Sequence, residues 1–407
     1  MRRIETLSVH AGRDDFASLG VHAAPIDLST TYPVHDLIAG TASFDALVSG
    51  AASAANPIYA RLHNPTVART EQAIAALEGS ESCVAFGSGM AALSALLLAR
   101  RAIGSHVLVV RPIYGSADHL LACGTLGLDA EFVAVGEIAS KRRADTSLII
   151  IETPANPTLK LVDIRAVVAA AGDVPVMVDS TFATPILQNP MALGARYVLH
   201  SATKFLGGHG DVIAGVICCA DADAMPLRQM RALTGALLHP LAAYLLQRGL
   251  ATLALRVERA QSNAIQIAER LAGHRSIAKV YFPGFAECAE AHLVGSHAGA
   301  QMRGPGALMA MELHGGFSAA AAAMAAVKLI TPAVSLGSVD SLIQHPSGLT
   351  HRVVDEQARA AHGITPGLLR LSVGIEHVDD LWADLDQALL KAVGAARVAP
   401  TRAAMPA

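Results

Sequence analysis

His200-Ser201-Ala202-Thr203-Lys204-Phe205-Leu206-Gly207-Gly208-His209-Gly210-Asp211 sets one lysine between two hydroxyl residues and a glycine-rich turn, directly after the apolar run Tyr197-Val198-Leu199. Upstream, the apolar run Val176-Met177-Val178 ends in Asp179. A lysine amine can hold a carbonyl cofactor as a Schiff base, and an acid can pair with a pyridinium nitrogen. Lys204 with Asp179 therefore suggests a pyridoxal phosphate (PLP) site, with Ser201 and Thr203 as hydrogen-bond partners of the phosphate. A surface lysine after a strand would account for Lys204 alone. It leaves the hydroxyls, the glycines and the upstream acid unexplained.

Working outward, apolar runs alternate with helix-forming segments. Strands are expected at Ser82-Phe86, His106-Val110, Glu131-Val135, Ser147-Ile151 and Val176-Val178, with helices near 116–127 and 162–171. This alternation predicts an α/β fold with a parallel-rich sheet, and the continuous apolar runs predict strands buried on both faces. Tyr114, Asn156, Asp179 and Lys204 all fall at or just beyond strand ends, where such sheets present ligand groups. Gly87-Ser88-Gly89-Met90-Ala91-Ala92 enters a helix and makes a phosphate cradle of backbone N–H groups, Gly89 and Met90 foremost. The same glycines fit a dinucleotide fingerprint, which wants an acid at the end of the next strand. That strand ends in Arg111, and a nicotinamide site would leave Asp179 and Lys204 idle.

The flanks read differently. Residues 1–60 show little periodicity and suggest an extended arm lying on a neighbouring subunit. Ile58-Tyr59-Ala60-Arg61 puts Tyr59 and Arg61 on one side of an extended segment, because side chains alternate. Pro65-Thr66 opens a helix. Residues 61–254 form the α/β domain, and 255–396 form a smaller C-terminal α/β domain with strands at 277–281, 306–313 and 368–373 and helices at 318–329 and 378–394. A long helical region covers 240–272. The tail 397–407 is expected to be disordered. Arg370, flanked by apolar strand residues, is expected to have an anionic partner, since burying it unpaired is costly, and a carboxylate suits guanidinium geometry. His351, Asp355 and Glu356 read as solvated charges.

Composition narrows the function. The 407 residues are 52% hydrophobic and only 16% charged, which supports a large core and subunit contacts. A net charge of −3 gives no sign of nucleic acid or an anionic membrane. The five cysteines are odd in number and form no Cys-x-x-Cys pair, so buried free thiols and a cytoplasmic location are expected. The N-terminus turns polar at once, unlike a signal peptide, and no apolar run is long enough for a membrane span. The 17 histidines fall in no metal-ligand motif.

Ser-Ala-Thr-Lys-Phe-Leu-Gly-Gly-His resembles the cofactor-lysine signature of the Cys/Met-metabolism (trans-sulfuration) PLP enzymes, and the likeness runs from about Ser8 to about Leu390. The resemblance implies an aminotransferase-like fold (fold type I) and a homotetramer built from dimers with shared active sites. It implies Tyr114 stacked on the pyridine ring and serving as acid for the leaving group, and Asn156 bonded to the cofactor's phenolic oxygen. It places Tyr59 and Arg61 on the phosphate of the neighbouring subunit. Val334-Ser335-Leu336-Gly337 and Leu369-Arg370-Leu371-Ser372 resemble the substrate-carboxylate clamp, with Arg370 and Ser335 as its members and Tyr59 and Asn156 beside them. Ser116 stands where methionine γ-lyases typically carry cysteine, and Val334 where many cystathionine γ-lyases carry an acid. Ile343-Gln344-His345-Pro346 resembles the synthase and methionine-lyase branches. The resemblance thus implies γ-replacement or γ-elimination on cystathionine or O-acyl-homoserine substrates. Methionine γ-lyase or homoserine-ester sulfhydrylase is the alternative, with cystathionine β-lyase behind them. A PLP-binding scaffold without turnover is the reading of a different class.

Overall fold

The computed structural model describes residues 2–398. Seven strands form the first sheet: β1 (Ser82–Phe86), β2 (His106–Val110), β3 (Asp129–Val133), β4 (Thr146–Glu152), β5 (Val176–Asp179), β6 (Tyr197–His200) and β7 (Gly215–Cys219), in the order β1-β7-β6-β5-β4-β2-β3. Only β7 runs against the rest, pairing antiparallel with both β1 and β6. Every residue of β1, β2, β4, β6 and β7 is buried, as the unbroken apolar runs require of strands covered on both faces. β3 starts two residues earlier than the sequence suggests. It is an edge strand with Asp129 exposed, so its apolar signal is weak.

The helices follow local chemistry. Asn64 caps α4 (Pro65–Glu78) by accepting from Thr66 and Val67 N, Pro65 occupies its first turn, and Gly79 closes it in the left-handed conformation. Ser88 caps α5 (Gly89–Arg101), whose Ala92, Leu93, Leu96 and Leu97 recur at helical spacing. They bury against Val84, Phe86, Val107, Val109, Leu148 and Ile150. Each such aliphatic side chain contributes about 1.5–3 kcal/mol of transfer free energy, so Leu96→Ala would cost about 2–5 kcal/mol.

A second sheet, β8 (Ile277–Tyr281), β9 (Leu308–Leu313), β10 (Thr331–Pro332), β11 (Leu342–Gln344) and β12 (Leu368–Ser372), has the order β10-β11-β12-β9-β8. The helices Leu253–Ala272, Gly316–Ala326 and Val378–Val398 supply its apolar cover. The helical region expected at 240–272 is two helices, broken between Leu250 and Leu253. The segments β10 and β11 are too short to announce themselves in the sequence.

The N-terminal segment is not extended throughout. It holds the helices α1 (Ile4–His10), α2 (Phe16–Leu19) and α3 (Leu37–Val48). Asp36 nucleates α3 by accepting from Ile38 and Ala39 N. Leu37 and Ile38 remain 78% and 85% exposed, so no single apolar face gives α3 a readable period. Arg397 and Val398 end the last helix, and the rest of the expected disordered tail lies outside the described residues. Cys83, Cys218 and Cys219 are buried free thiols, whereas Cys123 is exposed. No helix among the described residues is long and apolar enough to cross a membrane.

Candidate active site

Because β1, β2, β4, β5 and β6 all point one way, their C-terminal ends share one edge of the sheet. A cavity of about 560 Å³ opens there, walled across from the sheet by Val334, Ser335, Leu349, Thr350 and Arg370 from the C-terminal part of the chain. Ser88, Gly89 and Met90 reach it from the β1 turn and Tyr114 from beyond β2. Glu152 and Asn156 come from the end of β4, Asp179 from β5, and Ser201, Thr203 and Lys204 from the turn after β6.

At the β1 turn the first intrahelical bond runs from Ala92 N to Ser88 O, and Ser88 Oγ accepts from Ala91 N. Gly89 and Met90 N–H lie ahead of both and are free to meet an anion at the positive end of α5. A Cβ on Gly215 of β7 would stand 2.1 Å from Ser88 O and 2.5 Å from Gly89 N, so only glycine lets β7 support this turn. Thr203 Oγ1 exchanges hydrogen bonds with Ala214, donating to its O at 3.1 Å and accepting from its N at 3.0 Å.

Asp179 sits at the cavity floor. Its Oδ1 accepts from both Thr181 N and Thr181 Oγ1, and Thr181 Oγ1 in turn accepts from Ser201 N. Burial raises the Asp179 carboxyl above its usual range, and the Thr181 bonds and His200 pull it back. A cation in the cavity would hold it ionised. Burial, with Arg370 adding, lowers Lys204 to about 8, so about a tenth of its amine is neutral and nucleophilic at pH 7. Lys204 Nζ donates to Ser335 Oγ at 2.9 Å.

Arg370 is 2% exposed. Its Nη1 donates to Asn156 Oδ1 at 2.8 Å and its Nη2 to the Ser335 carbonyl at 2.6 Å. Its Nε is buried without a partner. Burial lowers the guanidinium to about 10. An unsatisfied donor of this kind, beside the cavity, suits a ligand carboxylate.

This donor set fits PLP. The Lys204 amine and the Asp179 carboxyl line one cavity, together with two unpaired peptide N–H groups and the Ser201 hydroxyl. Tyr114 is 38% exposed at the mouth, where its ring can cover a flat ligand.

Of the residues expected at the site, Lys204, Tyr114, Gly89, Met90, Asn156, Asp179, Ser201, Thr203, Arg370 and Ser335 line this cavity. Tyr59 and Arg61 do not. They lie on the surface, with Arg61 Nη1 on the Ala232 carbonyl at 2.8 Å and its guanidinium 5.5 Å from the Tyr59 ring centre. Ser116 is not among the lining residues either. His351 is a correction. It is 1% exposed rather than solvated, because the loop carrying it packs against the N-terminus of α6 (Gly115–Ala122). A Cβ on Gly115 would stand 2.2 Å from Thr350 O. Asp355 is exposed and caps the helix Glu356–Ala361, and Glu356 is exposed. Glu152 and Thr181 were not expected at the site. Glu152 closes an apolar strand as Asp179 does, and that signal was present in the sequence.

A parallel-rich α/β sheet with a lysine and an acid at the C-terminal ends of its strands, and a smaller second sheet covering the cavity, defines a PLP-dependent enzyme of fold type I. The chain belongs to the Cys/Met metabolism PLP-dependent enzymes, whose family profile matches residues 5–390. An L-methionine gamma-lyase of Streptomyces avermitilis is 54% identical over 96% of this chain and 89% of its own length. Another from Brevibacterium sandarakinum is 52% identical over 95% and 97%. Among solved structures, cystathionine gamma synthase from Xanthomonas oryzae pv. oryzae, in complex with aminoacrylate and cysteine, superposes with a TM-score of 0.88 at 35% identity, covering 97% of this chain and all of that one. Cystathionine gamma-lyase from Lactobacillus plantarum, complexed with L-serine, gives 0.87 at 32% identity over 96% and 100%. The chain is therefore a PLP-dependent carbon–sulfur lyase or transferase of the trans-sulfuration group.

Proposed function

We propose that this enzyme catalyses γ-elimination of a thiol from L-methionine. One observation carries the choice of substrate. Beyond the Arg370 clamp the cavity mouth is apolar: Ile213, Val334 and Leu349 line it at 67%, 51% and 48% exposure. Among the described residues, its charged lining is Glu152, Asp179, Lys204 and Arg370. A methyl thioether is matched by that wall. The second ammonium and carboxylate of cystathionine find no further charged partner among the described residues that line the cavity. The methionine γ-lyase name of the 51–54% identical relatives supports the same reading.

In this reading Lys204 holds PLP and Asp179 pairs with its ring nitrogen. Gly89, Met90, Ser201 and Thr203 hold its phosphate, joined by Tyr59 and Arg61 of a second copy. Asn156 bonds the phenolic oxygen. The bound cofactor supplies an electron sink for the substrate's α-carbon. Arg370, with Ser335 and Asn156, fixes the substrate carboxylate and so orients the Cα–H bond towards Lys204. The Lys204 amine takes the Cα proton and carries the Cβ proton. Tyr114 gives a proton to the departing sulfur. The shared sites imply a homo-oligomer, with a tetramer of paired dimers as the expected form. The 1–60 arm is its inter-subunit element, and the free thiols suit the cytoplasm.

The γ-synthase and γ-lyase structural likeness supports a second reading, with cystathionine or an O-acyl-homoserine as substrate. A product screen decides between them. Keto acid, ammonia and thiol are measured with L-methionine, L-cystathionine, L-cysteine and O-acyl-homoserines. The expected result is a kcat/KM for methionine at least about tenfold above that for cystathionine, the scale that one pocket contact sets. A higher value for cystathionine, or for ester plus thiol, overturns the proposal.

A further inference from the structure

β4 is apolar from Leu148 to Ile151 and then ends in Glu152, which is 5% exposed. Its Oε2 accepts from Tyr114 N at 2.6 Å and its Oε1 from Asn156 N at 2.7 Å. The two peptides belong to different loops, one beyond β2 and one beyond β4. Glu152 is also the cross-strand partner of Asp179 on β5. Burial, and then the Asp179 charge, push its carboxyl well above the usual range, and the two N–H groups and Arg370 act against this. Two carboxyl groups side by side in a buried site are costly. A residue serving only to fill β4 would be better as leucine. What the carboxyl group provides is geometric: two short hydrogen bonds, one to each oxygen, that tie the Cα positions of Tyr114 and Asn156 to one rigid strand end. Asn156 passes the constraint on, since its Oδ1 receives Arg370 Nη1.

We propose that Glu152 is a positioning residue, whose two carboxyl oxygens set the Tyr114 ring and the Asn156 amide against each other and so align the leaving-group acid with the cofactor plane and the Arg370 clamp. This rests on the roles proposed above for Tyr114 and Asn156.

Glu152→Gln tests it. The amide keeps the volume and supplies one acceptor, so one of the two peptide N–H groups faces an NH₂. PLP content and the thermal midpoint are expected to stay near wild type. The visible circular dichroism of the bound cofactor, which reads the ring's orientation, is expected to change. Misplacement on this scale is expected to lower kcat about 10- to 100-fold, with KM for methionine altered about threefold or less. Tyr114→Phe alone is expected to cost about 10²–10⁴-fold as the loss of a general acid. If Glu152 acts through the Tyr114 hydroxyl, adding E152Q to Tyr114→Phe lowers kcat by no more than about threefold further, because coupled residues are not additive. Full multiplication of the two losses overturns the proposal, as does an E152Q enzyme with wild-type kcat and dichroism. If Tyr114→Phe itself keeps full activity, the assignment of Tyr114 as acid falls, and the E152Q dichroism still decides whether Glu152 orients the site. Should E152Q not fold, Glu152→Asp replaces it. Its carboxyl group is kept but its reach is one methylene shorter, so it cannot span both N–H groups. An E152D enzyme with wild-type dichroism and kcat, or a failure of both variants to fold, assigns Glu152 to the fold and overturns the positioning role.

Discussion

Lys204 and Ser335 meet across the cavity. Nζ donates to Oγ at 2.9 Å from a residue 131 positions away, joining the turn after β6 to the C-terminal part of the chain. Ser335 is a non-glycine residue at φ +90°, a conformation that costs about 1–3 kcal/mol where the surroundings do not hold it. It is held here because its carbonyl accepts from Arg370 Nη2 at 2.6 Å. One strained residue thus fixes the distance between the amine and the guanidinium.

Ser335→Ala deletes the hydroxyl and leaves the backbone demand unchanged. A hydrogen bond involving a charged group is worth about 1.5–3 kcal/mol, so kcat is expected to fall about 10- to 100-fold with cofactor content retained. Steady-state kinetics at full PLP occupancy checks this. An unchanged kcat would mean the tether does not matter for turnover.

The Lys204 amine, lowered to about 8, sets the pH dependence of cofactor capture. At pH 8 about half of it is neutral, against about 0.3% for a lysine at its ordinary value near 10.5. The rate at which cofactor-free protein takes up PLP is expected to rise with a midpoint near pH 8. Borohydride should then fix the cofactor on the peptide containing Lys204. The sign for stability follows from the same shift. The unfolded chain keeps this proton up to about 10.5 and the folded chain releases it near 8, so the residue's destabilisation is relieved as pH rises from about 8 to 10.5. A capture midpoint near 10, or label on another lysine, contradicts the assignment.

Much of this was legible because buried parallel strands leave unbroken apolar runs, and the residues that end them stand out. Tyr114, Asn156, Asp179 and Lys204 stand at or just beyond such ends. Glu152 carries the same signal. Its role is hidden because its partners are two backbone N–H groups, which have no signature in sequence. Thr181 is hidden for a similar reason, since its hydroxyl only relays Asp179 to Ser201 N. His351 looked solvated because its burial comes from the close approach of the 350–351 loop to Gly115, a contact between segments distant in sequence. The helices of the N-terminal segment were illegible because most of their large apolar residues face outward.

His351 provides a measure of that hidden packing. Burial first, then Arg370, lower its imidazole to about 4, while the carbonyls of Asn156 and Ile113 pull upward and Arg359 adds a small repulsion. An unfolded histidine titrates near about 6.5. The stability it supports is therefore complete above about pH 6.5 and lost progressively as pH falls towards 4, by up to about 3 kcal/mol. His351→Gln cannot take up a proton. Denaturant midpoints of the cofactor-loaded protein are expected to fall less between pH 7 and pH 5 for the variant than for wild type. Parallel losses would show that the imidazole is not held neutral by its surroundings.

Tyr59 and Arg61 bear on how the site is completed. Within one chain they lie outside the cavity, and Tyr59 is 43% exposed. The segment before them shows Leu28, Leu37 and Ile38 at 63%, 78% and 85% exposure, apolar surface of the kind a second copy covers. If Arg61 serves the neighbour's phosphate, a two-fold pair carries two identical composite sites. Arg61→Ala and Lys204→Ala should then each cripple the enzyme. Unfolded together and refolded as a mixture, they should complement. One site of a mixed dimer takes Lys204 from the first chain and Arg61 from the second and is wild type, while the other lacks both. Random pairing makes about half the dimers mixed, each with one good site in two, so activity should approach about a quarter of wild type. If a wild-type control refolds well and the mixture stays inactive, Arg61 acts within its own chain or not at all, and the composite site is wrong.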